Sequence, residues 1–222
     1  MKSVQIIPAV NASTFSEVLN VVRRVERELK DHPHAPTHVH IDVADGTLTP
    51  NVLWHDPKDL DNLTSVFQIE LHLMLDNIDT RFSYWLRPHV GRYIVQFEGC
   101  EKSRSIAASA KRIGKEFGFS LAPSTRLEVL GDDAGLLDVV QLLAVFPGKA
   151  GQRMDNGTTK KITQSLRLYP TLPIAIDGGV NADTIHTCAS HGASRFVSAS
   201  YLLSGSSIRT QYDSLITSYA RS

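Results

Sequence analysis

A closed barrel of eight parallel strands, each followed by a helix, is the fold that the sequence predicts. Three observations carry that expectation. Short apolar, β-branched runs recur eight times, a stretch with helical spacing follows each, and nothing of linker composition interrupts the 222 residues. Alternating β and α units build a parallel sheet, and at this length eight of them close most naturally into a (β/α)8 barrel, near the small end of that fold. Counting alone leaves a doubly wound open sheet with fewer units as the competing architecture. No low-complexity stretch or charge run divides the chain, so residues 1–222 read as one barrel domain.

The first strand is expected at 4–9, ahead of a helix whose apolar stripe is Phe15, Val18, Leu19, Val22 and Val25 and whose N-cap is Ser13 or Thr14. The second strand is expected at 37–43, with a helix at 57–63. Then come a strand at 66–72 with a helix at 78–86, a strand at 93–97 with a helix at 103–117, and a strand at 117–121 with a helix at 125–131. The last three units pair 139–145 with 158–168, 174–176 with 182–191, and 195–197 with 206–220. Trp54 and Trp85 read as packing residues, and the His-rich stretch 30–38 reads as a solvated loop entering the second strand.

Composition narrows the function classes. The chain is 42% hydrophobic and 21% charged, the ordinary balance of a soluble globular protein. Lys plus Arg equals Asp plus Glu at 23 each, which gives no reason to expect nucleic acid or an anionic membrane as a partner. The two cysteines, Cys100 and Cys188, suit a reducing compartment and have no arranged base for nucleophilic work. The opening MKSVQIIPAV is too short for a secretory apolar region, and no run of 18 apolar residues exists, so a cytoplasmic location is expected.

In a barrel, reactive groups sit where strands end and βα loops begin. THVHIDVADG places His40 and Asp42 two apart on a strand, hence on one face, with Asp45 and Gly46 starting the loop. QIELHLML puts His72 at the end of the third strand, and IAIDGGV puts Asp177 at the end of the seventh. For any one of these alone, a satisfied polar residue at a strand end is the simpler account. Four together, from three strands, favour convergence on one divalent metal ion. Imidazole with carboxylate suits Zn²⁺, Fe²⁺, Mn²⁺ or Co²⁺ and selects none of them.

Glycine-rich loops follow the last strands: FPGKAGQ at 146–152, DGGVN at 177–181 and SASYLL at 198–203. Barrel phosphate sites are commonly built from the last βα loops. A lone PG or GG is an ordinary turn, but three such loops in succession favour a phosphate.

These motifs together resemble the ribulose-phosphate 3-epimerase family across nearly the whole chain. The family's HxDxMDGxFVPN reads here as His40-Ile-Asp42-Val-Ala44-Asp45-Gly46-Thr-Leu-Thr-Pro50-Asn51. Its HLM is His72-Leu73-Met74, its PGFGGQ is Pro147-Gly148-Lys149-Ala150-Gly151-Gln152, and its DGGI or DGGV is Asp177-Gly178-Gly179-Val180. The resemblance implies a TIM barrel of the ribulose-phosphate-binding type, with one metal (Zn, Fe, Mn or Co) on His40, Asp42, His72 and Asp177. It also implies Asp42 and Asp177 as acid/base groups on opposite faces of a sugar phosphate, and epimerisation of D-ribulose 5-phosphate to D-xylulose 5-phosphate through an enediolate. Met74 would wall the enediolate. Ala9, Gly148, Lys149, Ala150, Gly151, Gly178, Gly179, Ala199 and Ser200 fall at the family's substrate- and phosphate-binding positions. Members of the family often associate into homo-oligomers, although nothing in this chain identifies an interface.

Several positions depart from the pattern. APS becomes Ile7-Pro8-Ala9, the methionine of DVMDG is Ala44, HxE on strand four reads Gln96-Phe97-Glu98, and the strand-eight GS is Ala199-Ser200. Ala44 is expected to enlarge or reshape the pocket. Lys149 either adds charge to a phosphate or points to solvent. All four metal positions are intact, which favours a working epimerase for ribulose 5-phosphate or for another ketose phosphate such as a hexulose 6-phosphate. A non-catalytic sugar-phosphate-binding barrel is the alternative from a different class. A sugar-phosphate decarboxylase or aldolase is disfavoured because the DxKxxD lysine of such sites is absent from 40–45.

Overall fold

The computed structural model describes residues 4–146 and 152–221. Its strands are β1 (Gln5–Val10), β2 (His38–Ala44), β3 (Gln68–Met74), β4 (Val90–Gln96), β5 (Glu116–Leu121), β6 (Val139–Leu143), β7 (Ile174–Asp177) and β8 (Arg195–Ser198). All pair in parallel, in chain order, and β8 closes on β1 through the register Gln5↔Arg195 to Pro8↔Ser198. The chain therefore forms the closed (β/α)8 barrel rather than the open sheet.

Strand residues alternate between two apolar environments. On β2, Val39, Ile41 and Val43 face the helices, while His38, His40 and Asp42 face the barrel axis; all seven residues of the strand are buried. The main apolar core lies between the sheet and its outer layer. Inside the barrel, two small apolar groups (Ile7, Ala9 and Val197; Ile94, Val139 and Ala175) share the space with polar side chains. Trp54 and Trp85 pack edge to face at 5.8 Å, as packing residues should.

The outer helices are α1 (Phe15–Leu29), α2 (Ile78–Arg81), α3 (Ser103–Arg112), α4 (Thr158–Leu168), α5 (Ala182–Ser190), α6 (Ser200–Leu203) and α7 (Ile208–Tyr219). Thr14 opens α1 with a capping box: its hydroxyl accepts from the Glu17 N–H, and Glu17 accepts from the Thr14 N–H. Asn181 opens α5 in the same way.

Some expected elements are shorter or displaced. The stretch 57–63 is a 3-10 helix (Pro57–Asn62): Asp56 caps its N-terminus, and the backbone turns extended at Leu63, which ends it. The helix expected at 125–131 is a 3-10 segment, Leu127–Leu136, kinked at Gly131. The stretch 78–86 divides into α2 and a 3-10 turn, Phe82–Trp85. β4 starts at Val90, three residues early, because Gly91 and the inward Arg92 do not read as strand. β3 runs on to Met74, so His72 lies inside the strand, and β6 stops at Leu143. Among the described residues, no helix is long and apolar enough to cross a membrane.

Candidate metal centre and active site

Parallel register sets the site. Asp42 on β2 pairs with His72 on β3, so two residues 30 apart in sequence share one level of the barrel wall. His40 lies one inward position below Asp42, and Asp177 ends β7, opposite Leu143 of β6. One donor atom from each of His40, Asp42, His72 and Asp177 lies within 4.8 Å of the others. Among the described residues, this is the one such group of three or more His, Cys, Asp or Glu side chains.

The contacts of the group are specific. Asp42 Oδ1 lies 3.1 Å from His40 Nε2 and 2.8 Å from His72 Nδ1, and His72 Nδ1 lies 3.6 Å from Asp177 Oδ2. The far nitrogen of each ring is also engaged: His40 Nδ1 at 2.6 Å from Glu70 Oε1, and His72 Nε2 at 3.0 Å from Gln96 Oε1. Gln141 on β6 donates to Asp177 Oδ2 at 2.9 Å. Both imidazoles are fully buried.

Glu70 is itself paired with Arg92, which is fully buried in the barrel and also bonds Glu116 at 2.6 Å. Burial alone would raise the Glu70 carboxyl, but the Arg92 charge and the His40 bond hold it well below the usual carboxylate range. A charged Glu70 accepts, so His40 donates from Nδ1 and turns its Nε2 lone pair toward Asp42. Two acceptors 3.1 Å apart need a cation between them, either a proton or a metal. Consistently, burial would push His40 down, yet Asp42 and Glu70 outweigh it and hold the ring's pKa well above the imidazole range. Burial would likewise raise Asp42, but His40 and His72 hold it low, whereas burial and then the Asp42 charge push Asp177 up to about 6. A buried donor set of two imidazoles and two carboxylates, with both outer nitrogens hydrogen-bonded, fits a divalent metal such as Zn²⁺, Fe²⁺, Mn²⁺ or Co²⁺.

Asp45, three residues after Asp42, takes no part. Its carboxylate accepts from the Thr47 N–H and hydroxyl and from Arg81 at 2.6 Å, tying down the loop that bridges back at Val52.

Above the four donors lies a cavity of about 250 Å³. Asp42, His72, Met74, Asp177, Gly178, Gly179, Ala199 and Ser200 line it, as do Asn11, Thr49, Asn51 and Gln152, which sequence reasoning did not single out. Asn51 was within reach as the asparagine of the DG-x-x-x-PN element; Asn11 is marked only by being polar just past β1. Gly178 and Gly179 have φ of +96° and +68°, and a Cβ would fall 2.5 Å from Val145 Cγ2 and 2.9 Å from the Met154 nitrogen, respectively. These positions therefore require glycine for backbone shape as well as for access to the cavity.

The sequence-derived departures divide by position. Ala9 is buried with Ile7 and Val197 beneath the cavity and does not line it. Ala44 is fully buried at an inward position of β2, registered with Met74 of the cavity wall, and is not itself among the lining residues. Gly148, Lys149, Ala150 and Gly151 lie outside the described residues. The His-rich stretch forms no second cluster: His32 bonds Asp213 at 2.8 Å and accepts from the His34 N–H, and His38 bonds Thr37.

Comparison with known proteins follows the same line. The model of the ribulose-phosphate 3 epimerase family matches residues 6–203. The chain is 30% identical over 178 residues to the ribulose-phosphate 3-epimerase of Chlamydia pneumoniae, covering 77% of each protein. It is 32% identical over 172 residues to that of Mycobacterium bovis, covering 73% of each. Among solved structures, 3-hexulose-6-phosphate synthase from Salmonella typhimurium superposes with a TM-score of 0.71 over 98% of this chain and 99% of that one, at 15% identity, a likeness of fold alone.

Proposed function

The chain belongs to the ribulose-phosphate 3-epimerase family, and from that premise we propose that it interconverts D-ribulose 5-phosphate and D-xylulose 5-phosphate at a divalent metal held by His40, Asp42, His72 and Asp177. The observation that carries this reading is the convergence of the four donors, three of which (Asp42, His72 and Asp177) line the floor of the cavity.

Epimerisation next to a carbonyl removes a carbon-bound proton, passes through an enediolate and returns a proton to the other face. A bound metal would act as a Lewis acid toward the developing oxyanion. Asp42 and Asp177 supply the two carboxylates that exchange base and acid roles. They come from strands β2 and β7, which are not neighbours in the barrel, so they reach the cavity from different sides of its wall. Met74 gives the apolar wall that keeps water from the reacting carbons. Gly178, Gly179, Ala199 and Ser200, at the mouth side of β7 and β8, take the phosphate end.

The test is direct. Protein stripped of metal and reloaded with Fe²⁺, Mn²⁺, Co²⁺ or Zn²⁺ should interconvert the two pentulose phosphates, and a chelator should abolish the activity. Absence of turnover with all four metals contradicts the proposal.

A further inference from the structure

Gln96 ends β4 where the family pattern HxE carries histidine, and from the sequence the change reads as a loss. Its contacts say otherwise. Gln96 Oε1 lies 3.0 Å from His72 Nε2, and Gln96 Nε2 donates to Glu98 Oε2. The other oxygen of Glu98 accepts from the Ala122 N–H at 3.0 Å and from the Thr125 hydroxyl. A carboxylate offers acceptors only, so it dictates which end of a neighbouring amide faces it. With the Gln96 NH₂ committed to Glu98, the Gln96 carbonyl faces His72, and His72 donates from Nε2. The ring then carries its lone pair on Nδ1, the nitrogen 2.8 Å from Asp42 and 3.6 Å from Asp177.

We propose that Gln96 and Glu98 are positioning residues for the metal centre: Glu98 orients the Gln96 amide, and Gln96 holds His72 in the tautomer whose Nδ1 ligates. The inference rests on the metal reading given above. Partners of a ligating histidine's second nitrogen commonly fix its tautomer and ring orientation. Here that partner is a neutral amide whose direction is set one residue further out, by a carboxylate anchored to the loop after β5. Glu98 touches none of the four donors, so its whole influence passes through Gln96.

Glu98→Gln separates this arrangement from simple packing. The amide at position 98 keeps its carbonyl for Ala122 and Thr125 and turns its NH₂ toward Gln96. Gln96 then flips, presents its own NH₂ to His72, and leaves the His72 proton on Nδ1, facing Asp42. Gln96→Met, similar in size but without a carbonyl, removes the tautomer preference.

The experiment titrates metal-free protein with Co²⁺ by absorption and reads the His72 tautomer by long-range ¹H–¹⁵N NMR. Both variants should bind Co²⁺ about 10–100-fold more weakly than wild type. In metal-free protein, the His72 Nε2–H that bonds the Gln96 carbonyl should be present in wild type, lost in Glu98→Gln, and only partly populated in Gln96→Met. Folding damage alone would leave the tautomer of the folded fraction unchanged. Wild-type affinity and an Nε2–H tautomer in both variants overturn the inference while leaving the metal centre standing. Failure of wild-type protein to take up Co²⁺ overturns the metal reading instead.

Discussion

Asp42 and Asp45 lie three residues apart at the end of β2, yet only Asp42 turns its carboxylate into the donor group. Asp42 sits at an inward strand position, between His40 and His72. Asp45 is past the strand, and Thr47 and Arg81 occupy its oxygens. Residue type alone therefore does not mark a ligand; strand parity does. The two carboxylates should respond differently to the same change. Asp177→Asn, which deletes a carboxylate from the donor group, should lower the interconversion rate by roughly 10²–10⁴-fold. Asp45→Asn should leave metal uptake at wild-type affinity and act only on the order of the loop. Coupled assays and metal titrations on the two variants check both statements. Equal loss of metal uptake in both would contradict the division of roles.

At the scale of elements, β2 was legible because His40 and Asp42 alternate with Val39, Ile41 and Val43, and the period of two assigns each face. β4 was less legible. Gly91 and Arg92 read as loop, and only pairing with β3 and β5 shows why a full guanidinium belongs inside the barrel. The residues that orient the donors were the least legible. Glu70 lies 30 residues from His40, Arg92 lies 22 from Glu70, and Gln141 lies 36 from Asp177, so no local spacing links them. The Glu70–Arg92 pair joins β3 to β4 below the four donors, and both partners are buried. Removing one partner strands a buried charge, so Arg92→Met should destabilise the fold by about 3–5 kcal/mol, measured by urea denaturation. A loss below about 1 kcal/mol would show that Glu116, Gln5 and the barrel's other polar groups do not depend on this cation.

At the scale of the whole molecule, the barrel holds an ionic layer near its N-terminal end, small apolar groups between, and the four donors under the cavity at the other end. The fold was legible as eight alternating units, and the structure closes them in chain order. The short 3-10 connections were not, because the extended backbone at Leu63 and the kink at Gly131 override apolar spacing. A metal that bridges β2, β3 and β7 should brace the barrel as a unit. At free metal about 100 times its dissociation constant, the linkage contributes about 2.7 kcal/mol, which in a chain of this size raises the melting temperature by about 5–10 °C. His40→Ala should show no such rise.

The four donors and the cavity above them should support proton exchange at carbon. ¹H NMR of D-ribulose 5-phosphate in D₂O with metal-loaded protein reads this directly. The C3 proton signal should disappear, deuterium should appear at C3 of both epimers, and removal of the metal should stop it. Binding of metal and sugar phosphate without loss of the C3 proton, under any of the four metals, would contradict the account.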